Sequence, residues 1–501
     1  MTPAPPPDTT TDQQDLAHFG YRQELDRSLG SFSSFAAGFS YISILTGMFQ
    51  TFHMGYGTGG PAFFWTWPAV VAGQLLVALC FAELAAHYPV AGSVYQWSKQ
   101  IGHRAVGWLA GWIFLACLVV TLAAVALALQ VTLPQIHPCF QIIGDGVDPL
   151  DRARNAVLLG CILIAFSTVI NAAGIGLTAR VNNLGVFTEI TGLVALIALL
   201  ALHATRAPDV LLDTQEKGAG QGGYLGPFLT AMTLTAAYVL YGFDTAGTLA
   251  EETHEPRRKA PRAILHALLA AAVTGALLLA AALMSARDIA DPRLSREDGG
   301  LPFIVNQTLG KGLGTVFLIA VVFAIVVCAL AVQTGTVRLL FAMARDNRLP
   351  FSQALAHVSD YARTPTVPNL VTGLLAAGIL LVNANYPRVI ESVTSVAALW
   401  ANLAYLLLTS FLLLKRLRGW PQCGGANLAG LFSLGRWGFP INLLAVCWGI
   451  FIVGNIAWPR PEGENPDPLG AYAPLLSTAA LVVIGIAYYG LVQRYKGQKP
   501  V

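Results

Sequence analysis

The sequence predicts an all-α integral membrane protein of twelve transmembrane helices, a five-plus-five inverted repeat with discontinuous first and sixth helices and two extra C-terminal helices. Three observations predict it. Of 501 residues, 55% are hydrophobic and only 11% charged, far from the balance of a soluble domain. About twelve apolar runs reach the ~20 residues that an α-helix needs to cross ~30 Å of hydrocarbon. Two of these runs, in corresponding places, are interrupted near mid-span by glycine and polar residues, which is the sequence mark of a transporter built from repeats.

In chain order, residues 1–30 are rich in Pro, Thr, Asp and Gln. They lack the apolar centre of a secretory signal and read as a flexible cytoplasmic tail. The first repeat, 31–203, holds spans near 33–54, 61–86, 105–131, 155–173 and 182–203. An extracytoplasmic loop, 204–226, leads to the second repeat, 227–414, with spans near 227–250, 262–285, 314–337, 367–384 and 389–414. A cytoplasmic loop, 415–436, precedes the last two spans, near 437–458 and 472–493, and a cytoplasmic tail, 494–501. An even number of spans puts both termini on one side. That side collects roughly 20 of the Lys and Arg residues against roughly 10 opposite, which marks it as the cytoplasm of a protein in the cell membrane.

The same residues exclude several functions. A net charge of +3 is too small to call for nucleic acid, so the expected partners are the lipid bilayer and a small-molecule substrate. The seven cysteines include no CxxC pair, and the nine histidines are scattered with no HExxH, so neither a metal, a cofactor nor an enzyme is expected. Polar residues are not repeated as a symmetric ring. An ion-channel-like pore, or a non-transporting receptor on the same fold, remains the alternative to a carrier. Nothing in the chain specifies an oligomeric state.

The interruptions are Gly38 to Phe49, with Ser43, Thr46 and Gly47 near the centre of span one, and Gly242-Phe243-Asp244-Thr245-Ala246-Gly247 in span six. Breaking a helix at membrane depth leaves backbone N–H and C=O groups that must find a ligand or water. A zwitterion suits them, its carboxylate at the positive end of a half-helix and its ammonium at freed carbonyls. The candidate substrate-binding residues are therefore Tyr41, Ser43, Leu45, Thr46 and Gly47 from span one, and Tyr238, Tyr241, Gly242, Phe243 and Asp244 from span six. Asp244 has two readings: a cap for the lower half-helix, or the partner of a substrate ammonium beside an aromatic wall of Tyr41, Tyr241 and Phe243. Gly38 alone reads as a packing residue.

Glu189 is the other acid of interest. Nine residues after Arg180, at ~1.5 Å each, it falls about 13 Å inside the membrane. A carboxyl there either takes up and releases a proton as the cavity opens to each side, or stays neutral and joins helices. Sodium is the other candidate coupling ion, through the hydroxyls of Thr334 and Thr336, although such hydroxyls usually bond to their own helix. Glu83, at the end of span two, reads as a helix-end carboxylate paired with a basic neighbour.

Several separated motifs carry a resemblance. They are Gly59-Gly60-Pro61 through Phe81-Ala82-Glu83-Leu84-Ala85, then Tyr88-Pro89-Val90-Ala91-Gly92-Ser93-Val94-Tyr95. Glu251-Glu252 with Pro256-Arg257-Arg258 and Pro261-Arg262-Ala263-Ile264, and Arg338 to Asp346 with Leu349-Pro350, complete the set. Together they resemble the amino acid/polyamine/organocation superfamily, and most closely its amino acid/choline branch, which includes γ-aminobutyrate and choline permeases. The resemblance implies a LeuT-like core, a solute site between helices one and six, and alternating access for an amino acid or related amine. Many members carry Gly-Ser-Gly at the first break, where this chain has Ser43-Ile44-Leu45-Thr46-Gly47. Several similar sequences place a lysine where Glu189 stands.

Overall fold

Apolar runs bounded by Pro and Gly become helices throughout, because a chain without water must bond its backbone within itself. The computed structural model describes residues 9–493 except 26, 103, 220–221, 360–363, 422–429 and 461–467. Its helices are α1 (Thr9–His18), α2 (Ser31–Ile42), α3 (Ile44–Gly59), α4 (Thr66–His87), α5 (Ser93–Ile101), α6 (Arg104–Ile136), α7 (Pro149–Ala172), α8 (Ile175–Leu202) and α9 (Leu225–Ala231). They continue as α10 (Ala237–Val239), α11 (Thr245–Thr248), α12 (Pro256–Ser285), α13 (Gly300–Arg345), α14 (Ser352–Leu355), α15 (Thr366–Val382), α16 (Val389–Leu417), α17 (Gly438–Ala457) and α18 (Pro468–Tyr488).

The protein is an all-helical, multi-pass membrane protein. Among the described residues ten helical stretches, not twelve, are long and apolar enough to cross, with Ser31–Gly59 counting as one. The two predicted spans that fall short are the sixth and the ninth. An apolar helix covers only Leu225–Val239 in the sixth, because Gly242, at φ 91, turns the backbone out of the helix. The ninth is a 17-residue helix, Thr366–Val382. In the eighth, Gly310 at φ 77 breaks the 46-residue α13 into a short leading helix and a long one.

Helix α6 is apolar all round and sits at the centre, packed against α13, α16, α7 and α5, as its lack of a polar face requires. Helix α12 lies against α4, α2 and α8. Helix α18 contributes little to the interior, its described side chains being almost all exposed or half-buried.

The expectation of a flexible tail over 1–30 is corrected from Thr9 onward. Residues 1–8, like 494–501, lie outside the described residues. Leu16, Tyr21, Leu25 and Leu29 are all buried. Leu29 N–H donates to Glu252 O at 2.8 Å, and His254 N–H donates back to Leu29 O at 3.0 Å. Arg27 pairs with Asp12 at 3.0 Å, and Arg257 with Asp15 at 2.9 Å. Average composition conceals this fold because four apolar residues suffice when the polar ones have backbone partners to bond.

This segment covers a face of the protein knitted by buried charges. Arg338 meets Glu252 and Arg345 meets Glu251, each at 2.7 Å and with side chains at most 5% exposed. Glu251 also accepts from Ala91 N–H at 3.1 Å. Asp346 accepts from Tyr21, Tyr95 and Lys99 at 2.7 to 2.8 Å. Arg416 pairs with Glu83, which also accepts from Ser433 Oγ and Leu434 N–H.

On the opposite face, the loop before α13 places Glu297 3.9 Å from Arg152 at the start of α7. Burial raises the Glu297 carboxyl to about 7, with the Arg152 guanidinium pulling it back and Asp298 adding to the rise.

Two outcomes follow from these contacts. Arg345→Ala strands the Glu251 carboxylate and lowers stability by about 3–5 kcal/mol. Thermal unfolding in detergent should show that loss, and Arg345→Met with Glu251→Gln should recover much of it. For Glu297, a folded pKa above the ordinary 4.5 favours packing below that value and weakens it as pH rises through about 7. Hydrogen exchange over 291–300, corrected for intrinsic rates, should be slower at acid than at alkaline pH, and Glu297→Gln should remove the difference.

Candidate functional site

The first break is a single residue. Ser43, at φ 32 and ψ 92, separates α2 from α3, and its Oγ accepts from Thr46 N–H at 3.3 Å as the cap of α3. Its own N–H still bonds Phe39 O, and its carbonyl still accepts from Gly47 N–H. Gly47, predicted as part of the break, lies inside α3. A Cβ there would stand 2.7 Å from Val239 Cγ2, so this glycine lets α3 and α10 touch. Gly38 likewise serves packing, its virtual Cβ 3.2 Å from Ala267.

The second break runs from Leu240 to Asp244. Gly242 is obligatory: besides its φ of 91, a Cβ there would overlap the Tyr41 ring at 1.8 Å. Its freed N–H donates to Tyr405 Oη at 3.0 Å. The Tyr405 hydroxyl donates in turn to Asp244 Oδ1 at 2.5 Å. Ser93 Oγ donates to Asp244 Oδ2 at 2.7 Å, and Thr248 Oγ1 donates to Ser93 at 2.8 Å. Thr245 Oγ1 returns to Gly242 O at 2.7 Å.

The capping role predicted for Asp244 does not match this geometry. Its side chain makes no capping bond to α11. Both oxygens are taken by Tyr405 and Ser93, and the residue is 1% exposed. Asp244 clamps the broken helix to α16 and to the start of α5.

Between the two breaks lies a closed cavity of about 20 Å³ lined by Tyr41, Ile42, Thr46, Gly47, Thr121, Val125, Tyr238, Val239, Tyr241 and Cys328. It is little more than the ~10–15 Å³ that one water requires. Of the predicted residues, Tyr41, Thr46, Gly47, Tyr238 and Tyr241 come together here. Phe243 instead packs on Phe81 and Tyr405. Ser43, Leu45, Gly242 and Asp244 stand outside the lining. Tyr41 and Tyr238 each meet Tyr241 edge-on at 6.1 Å between centroids. The Tyr238 hydroxyl donates to Gln50 at 3.2 Å, and that of Tyr241 pairs with Thr121 at 2.9 Å. The Tyr41 hydroxyl is buried and has no hydrogen-bond partner among the described residues.

Sequence reasoning missed Ile42, Thr121, Val125, Val239 and Cys328 in the lining, and Ser93 and Tyr405 in the clamp. Thr121 carried a signal, as an isolated hydroxyl within the apolar run Leu118 to Leu129. Cys328 carried none.

Glu189 reaches the first break. Its Oε1 accepts from Ser43 Oγ at 2.8 Å and from Leu45 N–H at 3.4 Å, while Oε2 is buried with no partner among the described residues. Thr334 Oγ1 lies 2.7 Å from both Leu330 O and Asn171 Oδ1, which compete for its one hydrogen, and Thr336 donates to Val332 O at 2.8 Å. Each threonine thus lies within hydrogen-bond distance of a carbonyl of its own helix.

A family model described as amino acid permease matches residues 29–485. The chain belongs to the amino acid permease family. It is a membrane transporter of that family and not an enzyme. Among similar proteins, an amino-acid permease of Arabidopsis thaliana, BAT1, is 25% identical over 95% of this chain and 93% of its own. The GABA-specific permease of Saccharomyces cerevisiae and the thiamine transporter thi9 of Schizosaccharomyces pombe are each 22% identical, over 97% of this chain and 85% of theirs. The substrates for which these relatives are named differ, so the family fixes the activity more tightly than the solute.

The clamp makes a direct test. Tyr405→Phe leaves Gly242 N–H and Asp244 Oδ1 each without its tyrosine partner, and should lower stability of the permease by about 1.5–3 kcal/mol. Thermal unfolding in detergent measures this.

Proposed function

We propose that this permease is a secondary active transporter of an amino acid or related amine, such as γ-aminobutyrate or choline, held between its two helix breaks. In this reading the chain crosses the cell membrane twelve times with both termini cytoplasmic. Two five-helix repeats of inverted topology rock about the site to expose it alternately, and the last two helices stand outside that core. The observation that carries the reading is the closed cavity where the breaks meet, walled by three tyrosines, one with an unpartnered hydroxyl. A buried polar atom without a partner costs free energy unless a solute or water supplies one.

The lining favours one end of the substrate range. It holds no ionised side chain, so a solute of net charge would enter without a counter-ion, whereas a zwitterion brings both charges itself. Tyrosine faces receive an ammonium group. A zwitterion such as γ-aminobutyrate is thus the better fit, and a quaternary ammonium the second.

For coupling, a proton at Glu189 is preferred to sodium. Glu189 touches the first break directly, whereas the hydroxyls of Thr334 and Thr336 make no hydrogen bond to it among the described residues.

The test is uptake by purified permease in proteoliposomes, against a panel of amino acids, γ-aminobutyrate, polyamines and choline. Saturable uptake with counter-flow is expected for a zwitterion, stimulated by an inward proton gradient. Glu189→Gln should abolish the stimulation while counter-flow persists. Gradient dependence that survives in Glu189→Gln removes Glu189 from the coupling.

A further inference from the structure

We infer that Ser43 and Thr46 form a hydroxyl relay that lets the solute site grip a carboxylate only when Glu189 carries a proton. The inference rests on the proton-coupled reading above and adds a route between proton and solute. Three buried groups make up the chain. Thr46, in the cavity lining, has its Oγ1 2.7 Å from Ser43 Oγ. Ser43 Oγ lies 2.8 Å from Glu189 Oε1. All three residues are at most 2% exposed.

Counting donors sets the direction of the chain. A hydroxyl has one hydrogen and two lone pairs, and an ionised carboxylate only accepts. With Glu189 ionised, Ser43 spends its hydrogen on Oε1. Its lone pairs are then filled by Thr46 N–H, at 3.3 Å, and by the Thr46 hydroxyl. Thr46 therefore offers the cavity only lone pairs.

Protonation reverses this order. A proton on Oε1 has Ser43 Oγ as a ready acceptor, whereas on Oε2 it would find none among the described residues. Ser43 then accepts from Glu189 and from Thr46 N–H, and turns its own hydrogen toward Thr46 Oγ1. The Thr46 hydrogen is released to the cavity. It meets there what a hydrogen-bond donor holds best, a carboxylate. The proton that loads Glu189 comes from the open aqueous side and leaves from Glu189. The hydroxyl hydrogens only reorient, and no bond in the solute changes.

The surroundings leave the relay as the polar route to Glu189. Cys328 on α13 is the titratable group beside both Thr46 and Glu189, and its thiol donates to Tyr41 O at 3.4 Å. No ion pair to Glu189 occurs among the described residues. Ser43 is held at φ 32, a strained conformation for a serine, at the residue where the two oxygens of the relay and the carboxylate converge.

The test is equilibrium binding of γ-aminobutyrate and of n-butylamine, which lacks the carboxylate, to full-length permease at about pH 5.5 and about pH 8, either side of neutrality. Wild type should bind γ-aminobutyrate about tenfold or more tighter at the acid pH, the worth of one hydrogen bond to a charged group. Butylamine should show no such gain. Thr46→Val should bind γ-aminobutyrate weakly and equally at both pH values, and Thr46→Ser should restore the dependence. Glu189→Gln, whose amide can donate to Ser43, should hold the acid-pH affinity throughout. Wild type that fails to bind γ-aminobutyrate at the acid pH, an equal gain for butylamine, or Thr46→Val that keeps the pH dependence overturns the relay. If Thr46→Val keeps it while Glu189→Gln loses it, the relay fails and coupling at Glu189 stands; if Glu189→Gln also keeps it, both fail.

Discussion

A helix that stops at membrane depth has no water to satisfy its freed N–H and C=O groups, and this constraint shapes the whole centre of the permease. The two breaks meet it differently. At the first, one residue leaves the helix, and its own side chain, with a carboxylate from α8, takes the N–H groups of Thr46 and Leu45. At the second, the backbone departs over several residues, and its satisfaction is borrowed from other elements. Tyr405 of α16 takes the Gly242 N–H, while Asp244 fastens the turn to Tyr405 and Ser93. The first break is nearly self-sufficient, and the second is tied to the scaffold.

The same ties extend to the face covered by the N-terminal segment. Thr248, which donates to the Ser93 of the clamp, lies just ahead of Glu251 and Glu252, whose carboxylates hold Arg345 and Arg338. Residues 12–30 then close over this junction through Leu29 and Asp12. A short run of chain, Gly242 to Glu255, is thus bonded in succession to α16, α5, α13 and the N-terminal segment. Movement of any of these with respect to the others must break charged contacts away from bulk water, where each is strong.

Much of the fold was legible in the sequence because hydropathy over about twenty residues is a local property, and because Gly242 and Ser43 each sit at a real break. The site was legible in part. Tyr41, Tyr238 and Tyr241 converge because they flank the breaks, which the sequence marks. The partners of Asp244 were not legible, because Ser93 and Tyr405 lie 151 and 161 residues away and a long-range bond leaves no local pattern. Residues 12–30 were misread for the opposite reason. Their composition is that of a disordered segment, but Leu16, Tyr21, Leu25 and Leu29 are each placed over a ready partner, and an average over thirty residues hides four well-placed ones.

The closed cavity shows what a solute must displace. Two contacts seal it without slack: the Tyr41 ring against the backbone of Gly242, and Val239 against the backbone of Gly47. The zwitterion proposed as solute is several times larger than a cavity of about 20 Å³, so in that reading one of these seals has to part. The contact of Val239 with Gly47 joins α3 to α10, two half-helices on the same side of their breaks. The contact of Tyr41 with Gly242 joins the two breaks themselves. Parting the latter frees the one tyrosine of the three whose hydroxyl lacks a partner, while Gly242 stays bonded to Tyr405. The ring of Tyr41 is therefore the wall element whose hydroxyl gives up no hydrogen bond among the described residues when it moves.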